Sequence, residues 1–88
     1  MLTTRKKSNI IKEFKQTDSD TGSAEVQVGL LTKQIEELTD HLKKHRKDNH
    51  SRRGLLKMVG KRKRLLDYLE KNKPKNYTSL VKKLGLKA

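Results

Sequence analysis

The chain has no cysteine. Disulfides and thiolate metal sites are therefore excluded, and cysteine usage leaves the compartment open. Proline occurs once, and aromatic residues make up 3% of the sequence. With only Phe14, Tyr68 and Tyr77 as rings, the chain lacks the row of stacking platforms that proteins holding an extended single strand offer. No stretch approaches the roughly 18 apolar residues of a membrane-spanning helix, and the N-terminus has no signal-peptide pattern. There is no Gly-rich phosphate loop after a strand, and no serine stands in a context that suggests a nucleophile. The one metal-like spacing, His41-xxx-His45, has neither the acidic base of an HExxH motif nor an obvious third ligand. An enzyme, a bound metal and a cofactor are not expected.

Acids are also scarce: ten, against 23 Lys and Arg, for a net charge of +13. Such a balance repels itself and suits a polyanion, nucleic acid before an anionic membrane. The 88 residues suffice for one domain, and 31% hydrophobic against 38% charged residues leaves it a thin core.

The basic residues are concentrated. Lys and Arg fill eleven of the 22 positions from Lys43 to Arg64, where Asp48 is the sole acid. This tract lies within residues 40–69, which read as parts of two long helices meeting at Asp48-Asn49-His50-Ser51. All four of those residues favour caps or turns.

Taken in order, residues 3–16 read as a first helix, capped by Thr3 or Thr4 and carrying Ile10, Ile11 and Phe14 on one side. Three apolar residues predict a loosely docked element. Residues 17–23 form a polar loop, with Ser23 as N-cap of the second helix and Glu25 in its first turn. Thr21 and Gly22, beside free helix N–H groups, could hold a phosphate or form an ordinary capped loop.

The second helix repeats Ala24, Val28, Leu31, Ile35, Leu38 and Leu42 at spacings of 4, 3, 4, 3 and 4, a heptad seam that requires a long partner helix. Asp40 is spaced to pair with Lys44, and Lys33 with Glu37 in the less favourable order. Gln27, Gln34 and His41 form a second row, either a solvated flank or a polar recognition edge. The third helix is expected from about Ser51 to Asn72. Its seam is Leu55, Val59, Leu66 and Leu69, flanked by Met58 and Leu65, with Arg62 packing its stem and keeping its head at the edge. The other side is a basic line, Lys57, Lys61, Arg64, Tyr68 and Lys71. Pro74 suits the first turn of a final helix carrying Tyr77, Leu80, Val81 and Leu84, and Gly85 its C-terminal cap.

The predicted fold is all-α with four helices. The second and third form a long antiparallel hairpin, a short C-terminal helix packs on it, and residues 1–88 make a single domain. Positive charge at one corner and along one face, with opposite charge almost absent, favours nucleic acid. The scarcity of rings points to structured RNA or duplex DNA. Phosphate contacts are assigned to Lys43, Lys44, His45, Arg46, Lys47, His50, Arg52, Arg53, Lys57 and Lys61. Tyr68 could stack on an exposed base or be a boundary core residue. A DNA-bending architectural protein would add apolar wedges, and none is evident beside the basic face. A peripheral membrane helix would need an apolar face free for lipid, whereas the seams here have partners in one another.

The motifs DTGSAEVQV, LTDHLKKHRKDNHSRRGLLKMVGKRKRLLDYL and SLVKKLGLK cover much of the chain. Through them the sequence resembles the family of bacterial small-subunit ribosomal protein fifteen. Ala24 stands where the family pattern usually has Pro. The resemblance implies binding to a three-way junction and a nearby helix of small-subunit ribosomal RNA, which folds the junction for later assembly. It also implies neighbouring ribosomal proteins, a contact with large-subunit RNA and, as in some members, the protein's own messenger RNA. By position, the family's junction surface falls on Thr21, Gly22, Gln27, Arg64 and Tyr68, and its minor-groove surface on His41, Asp48 and Ser51. Such a protein works in the cytoplasm, on the ribosome.

Overall fold

The computed structural model describes residues 3–15 and 22–86. It has four helices: α1 (Thr4–Phe14), α2 (Ala24–Lys44), α3 (Asn49–Asn72) and α4 (Pro74–Leu84). No strand occurs among the described residues.

Local chemistry sets most of the ends. The Thr3 hydroxyl accepts from Lys6 N at 3.1 Å and opens α1. Ser23 Oγ accepts from Val26 N at 3.3 Å and opens α2. Asp48 Oδ1 accepts from Ser51 N at 3.0 Å, so α3 begins at Asn49, two residues before the expected Ser51. Lys15 turns extended (φ −64°, ψ 146°), which stops α1 at Phe14 rather than at residue 16. Pro74 opens α4, and Gly85 closes it in the left-handed region at φ 68°. Leu86 N then donates to Val81 O at 3.0 Å, folding the chain back over the helix end.

Helices α2 and α3 pack antiparallel. Their contacts step down one helix as they step up the other: His41 with Asp48 near the turn, Leu38 against Gly54, then Thr32 with Arg62, and Val26 and Val28 in one cluster with Leu69. Arg62 sits as its position in the seam implies, half-buried, with Nη1 donating to Thr32 Oγ1 at 3.3 Å. Thr32 Oγ1 in turn donates to Val28 O at 2.8 Å.

The core lies at the end of the hairpin away from the turn. Val26, Val28 and Leu69 are fully buried, in a cluster with Ile10 and Phe14 of α1 and Leu80 of α4. Val26 does not belong to the heptad seam. At about 100° per residue it points roughly opposite to it, and it is buried because α2 is covered on more than the α3 side. Its neighbour Glu25 is only 2% exposed, and neither carboxylate oxygen has a hydrogen-bond partner among the described residues.

Two expectations about α3 and the charge pairs need correction. Val59, placed in the seam, is 40% exposed. It lies at the seam's margin, on a side of α3 left open because α1 packs on α2 and not on α3. Asp40 pairs with Lys43 at 3.7 Å, not Lys44, and Lys33 with Glu36 at 3.6 Å, not Glu37. Glu37 is taken instead by Lys6 of α1 at 3.2 Å. That bridge, buried Ile10 and Phe14, and half-buried Ile11 dock α1 on α2. Lys83 of α4 holds the end of α1, its Nζ donating to Glu13 O at 2.5 Å and lying 4.7 Å from the Phe14 ring centre.

Candidate nucleic-acid interface

The corner between α2 and α3 is a tight, hydrogen-bonded turn. His45 N donates to His41 O at 3.0 Å, Asp48 N to His45 O at 3.1 Å, and Asn49 N to Lys47 O at 2.9 Å. Arg52 reaches back across the turn, its guanidinium donating to Arg46 O at 2.7 Å. The backbone thus consumes its own polar groups and turns the side chains outward. Lys43, Lys44, His45, Arg46, Lys47, His50, Arg52 and Arg53 are all exposed here, as are Lys57 and Lys61 further along α3. Lys43 and Lys44 also stand in the last turn of α2, where the helix dipole favours cations.

Within this cationic corner sits one polar cluster. Asp48 Oδ2 accepts from Ser51 Oγ at 2.6 Å and lies 2.9 Å from His41 Nε2, while Oδ1 accepts the capping bond from Ser51 N. The Ser51 hydroxyl and amide, followed by His41, hold the Asp48 carboxyl well below the usual carboxylate range against a smaller opposing effect of desolvation. The His41 ring also lies against the His45 ring, with centres 4.6 Å apart and planes inclined by 32°. His41-xxx-His45 is therefore a ring contact. No group of three or more His, Cys, Asp or Glu among the described residues is placed to hold a metal.

A second surface lies at the other end of the hairpin. Arg64 is exposed and Tyr68 is 51% exposed, on the same side of α3 as Lys57 and Lys61. At ~1.5 Å per residue, Tyr68 is roughly 30 Å along α3 from Asp48. The antiparallel packing brings the start of α2 to this end. Gln27 Nε2 donates to Gly22 O at 2.8 Å and so ties the exposed Gly22 to the helix. Thr21 lies outside the described residues. The row Gln27, Gln34 and His41 is half-buried throughout, and its two ends are engaged in bonds that fix neighbouring residues.

The sequence did not reveal the His41–Asp48 bond, because the two residues lie on either side of a turn, across which no helical period runs. Nor did it reveal exposed apolar groups near the basic residues. Leu56 is 67% exposed and Val59 40%, beside Arg52, Arg53 and Lys63 in the chain. The pair lies on a different strip of α3 from Lys57, Lys61 and Tyr68. No helix among the described residues is long and apolar enough to cross a membrane.

The family model for ribosomal protein S15 matches residues 6–87. The small ribosomal subunit protein uS15 of Bordetella parapertussis is 57% identical over 82 residues, covering 93% of this chain and 92% of that protein. The uS15 protein of Thermotoga petrophila is 55% identical over 86 residues, covering 98% and 96%. With the match running through both the corner and the second surface, the chain belongs to the ribosomal protein S15 family.

Proposed function

We propose that this protein binds small-subunit ribosomal RNA through both ends of the hairpin and folds a three-way junction for assembly of the central domain. It is a structural constituent of the small ribosomal subunit in the cytoplasm and not an enzyme, and its partners are ribosomal RNA and neighbouring ribosomal proteins. Gly22, Gln27, Arg64 and Tyr68, with Thr21, engage the junction. His41, Asp48 and Ser51 engage the minor groove of an adjacent helix, and the exposed cations of the corner follow phosphates. Residues 1–88 act as one RNA-binding domain. A contact with large-subunit RNA and binding to its own messenger RNA belong to the same reading.

One observation carries it: a rigid α3 presents two chemically different surfaces roughly 30 Å apart, one rich in hydrogen-bond acceptors and one with an exposed ring on a basic line. A phosphate track alone needs no acceptors. The wide, shallow minor groove of RNA displays 2′-hydroxyls and base-edge donors that can use them. The test is a titration at one salt concentration against a three-way-junction RNA with an adjacent helix, a duplex DNA of equal length and anionic vesicles. Preference for the junction RNA is expected, and equal binding to the DNA would refute it.

A further inference from the structure

We propose that the cavity lined by the end of α1, the start of α2 and one face of α4 binds a small organic diammonium ion, anchored on the buried Glu25 carboxylate. The site is separate from the RNA surfaces proposed above. Glu25 and Gln27, two residues apart, point about 200° from one another around α2.

Glu25 is an acid without a partner. It is only 2% exposed, and neither carboxylate oxygen accepts a hydrogen bond among the described residues. Burying a charge is costly unless it is paired and hydrogen-bonded. Its place in the first turn of α2 offsets part of the charge through the helix dipole, but brings no bond to either oxygen. A carboxylate only accepts, so the group that satisfies it must donate.

The residue borders a cavity of about 160 Å3. A water molecule takes ~30 Å3 of liquid volume, so the space suits a short chain of heavy atoms better than one water. Phe14 and Leu80, both buried, give it apolar walls. Asn76 and Ser79 of α4 add polar groups, and the exposed Glu13 adds a second carboxylate. Lys15 and Lys83 also line it, and neither bonds to Glu25. The Lys83 ammonium is committed to Glu13 O and to the Phe14 ring.

These features select the ligand. The buried carboxylate repels an anion. No group of three or more His, Cys, Asp or Glu among the described residues is placed to hold a metal, and hard divalent cations take six or more oxygens. A primary ammonium brings three donors together with its charge. Its methylenes can lie along Phe14 and Leu80, and a second ammonium at the far end meets Glu13. Lys15 and Lys83 oppose added positive charge, and the ligand is small, so saturation is expected at millimolar concentration.

The test is 1H–15N NMR of the full chain, titrated with 1,4-diaminobutane at constant ionic strength. Saturable shifts should appear at the amides of Glu25, Asn76 and Ser79 and at the Phe14 ring, with a rise in melting temperature. Butylamine, which has one ammonium, should bind several-fold more weakly. Sodium and magnesium chloride should not reproduce the shifts. Glu25→Gln keeps the size of the side chain, removes its charge and should abolish saturation. Ser79→Leu, from the exposed side of α4, narrows the cavity with Glu25 in place and should also block binding, which keeps the test valid if the Gln variant does not fold. Shifts that never saturate, that magnesium reproduces, or that persist in either folded variant overturn the site. Equal affinity for butylamine overturns the diammonium assignment.

Discussion

The ring of Phe14 occupies the place where residue 29 would carry a side chain. A Cβ on Gly29 would meet Phe14 Cδ2 at 2.5 Å and Cε2 at 2.9 Å. Both residues are buried, so a side chain there would force the ring to move. Glycine in a helix interior is normally a cost, about 1 kcal/mol relative to alanine. Here it lets α1 approach the backbone of α2.

Gly29→Ala should accordingly destabilise the protein. Overpacking costs about 1–3 kcal/mol, less the propensity gain, for a net loss of about 1 kcal/mol. Thermal unfolding measures the loss, and hydrogen exchange should show faster opening of α1 in particular. A gain in stability near the full alanine propensity would mean that the ring yields freely.

Asp48 is both a cap and the centre of the corner cluster. Asp48→Ala should lower the melting temperature by about 4–8 °C, the equivalent of one lost cap in a domain of this size. Asp48→Asn keeps the capping oxygen and should leave the melting temperature near that of the parent while weakening RNA binding. Tighter binding by the Asn variant, as simple charge balance would give, would remove Asp48 from RNA recognition.

The same carboxyl gives a pH signature. Its folded pKa is depressed, so its stabilising contribution is complete above the unfolded value of about 4. The contribution is lost as pH falls through the lower folded value. The parent should therefore lose more stability than Asp48→Asn between pH 4 and strongly acidic conditions, in parallel urea titrations. Parallel acid profiles for the two proteins would show that the cluster does not hold the carboxylate.

Tyr68 is half exposed on the basic side of α3, which favours contact with a ligand over a core role. Tyr68→Leu keeps most of the apolar volume and removes the ring face. Junction binding should weaken by about 1–3 kcal/mol, the range for a base–aromatic stack, with little change in melting temperature. Unchanged affinity with a lower melting temperature would return the residue to the core.

The corner cations predict a steep salt dependence. With about 5–8 phosphates neutralised, RNA affinity should fall by a few decades from low to moderate salt, because each contact releases condensed counterions. A nearly flat log–log plot would exclude phosphate attraction as the main source of affinity.

What could be read from the sequence was what depends on neighbours along the chain. Ser23, Pro74 and Gly85 perform their expected tasks because capping is decided within a turn or two. Asp48 caps as its chemistry allows, although α3 starts two residues earlier than expected. Val28, Leu31 and Leu38 are buried because a heptad seam needs only the presence of a second helix. Val26, Glu25 and Gly29 were hidden for the converse reason: their burial depends on elements far away in sequence, and no period within α2 encodes it. Val59 shows the same limit in reverse: its spacing fits the seam, but α1 packs on α2 and leaves that margin of α3 exposed. At the candidate interface the exposed cations were legible one by one. The bond from His41 to Asp48 was not, because only the turn brings the two together.

Lys73 is at once the last cap of α3 and the first of α4, with φ −143° and ψ 64°. A single residue between two helices leaves no slack. The direction of α4 is fixed by one pair of backbone dihedrals, and Tyr77 N donates to Lys73 O at 2.9 Å to close the first turn behind the joint. The end of the hairpin that carries Tyr68 is therefore a preorganised corner piece. Its conformational entropy is lost when the chain folds, not when a ligand arrives, so contacts made there retain more of their binding free energy.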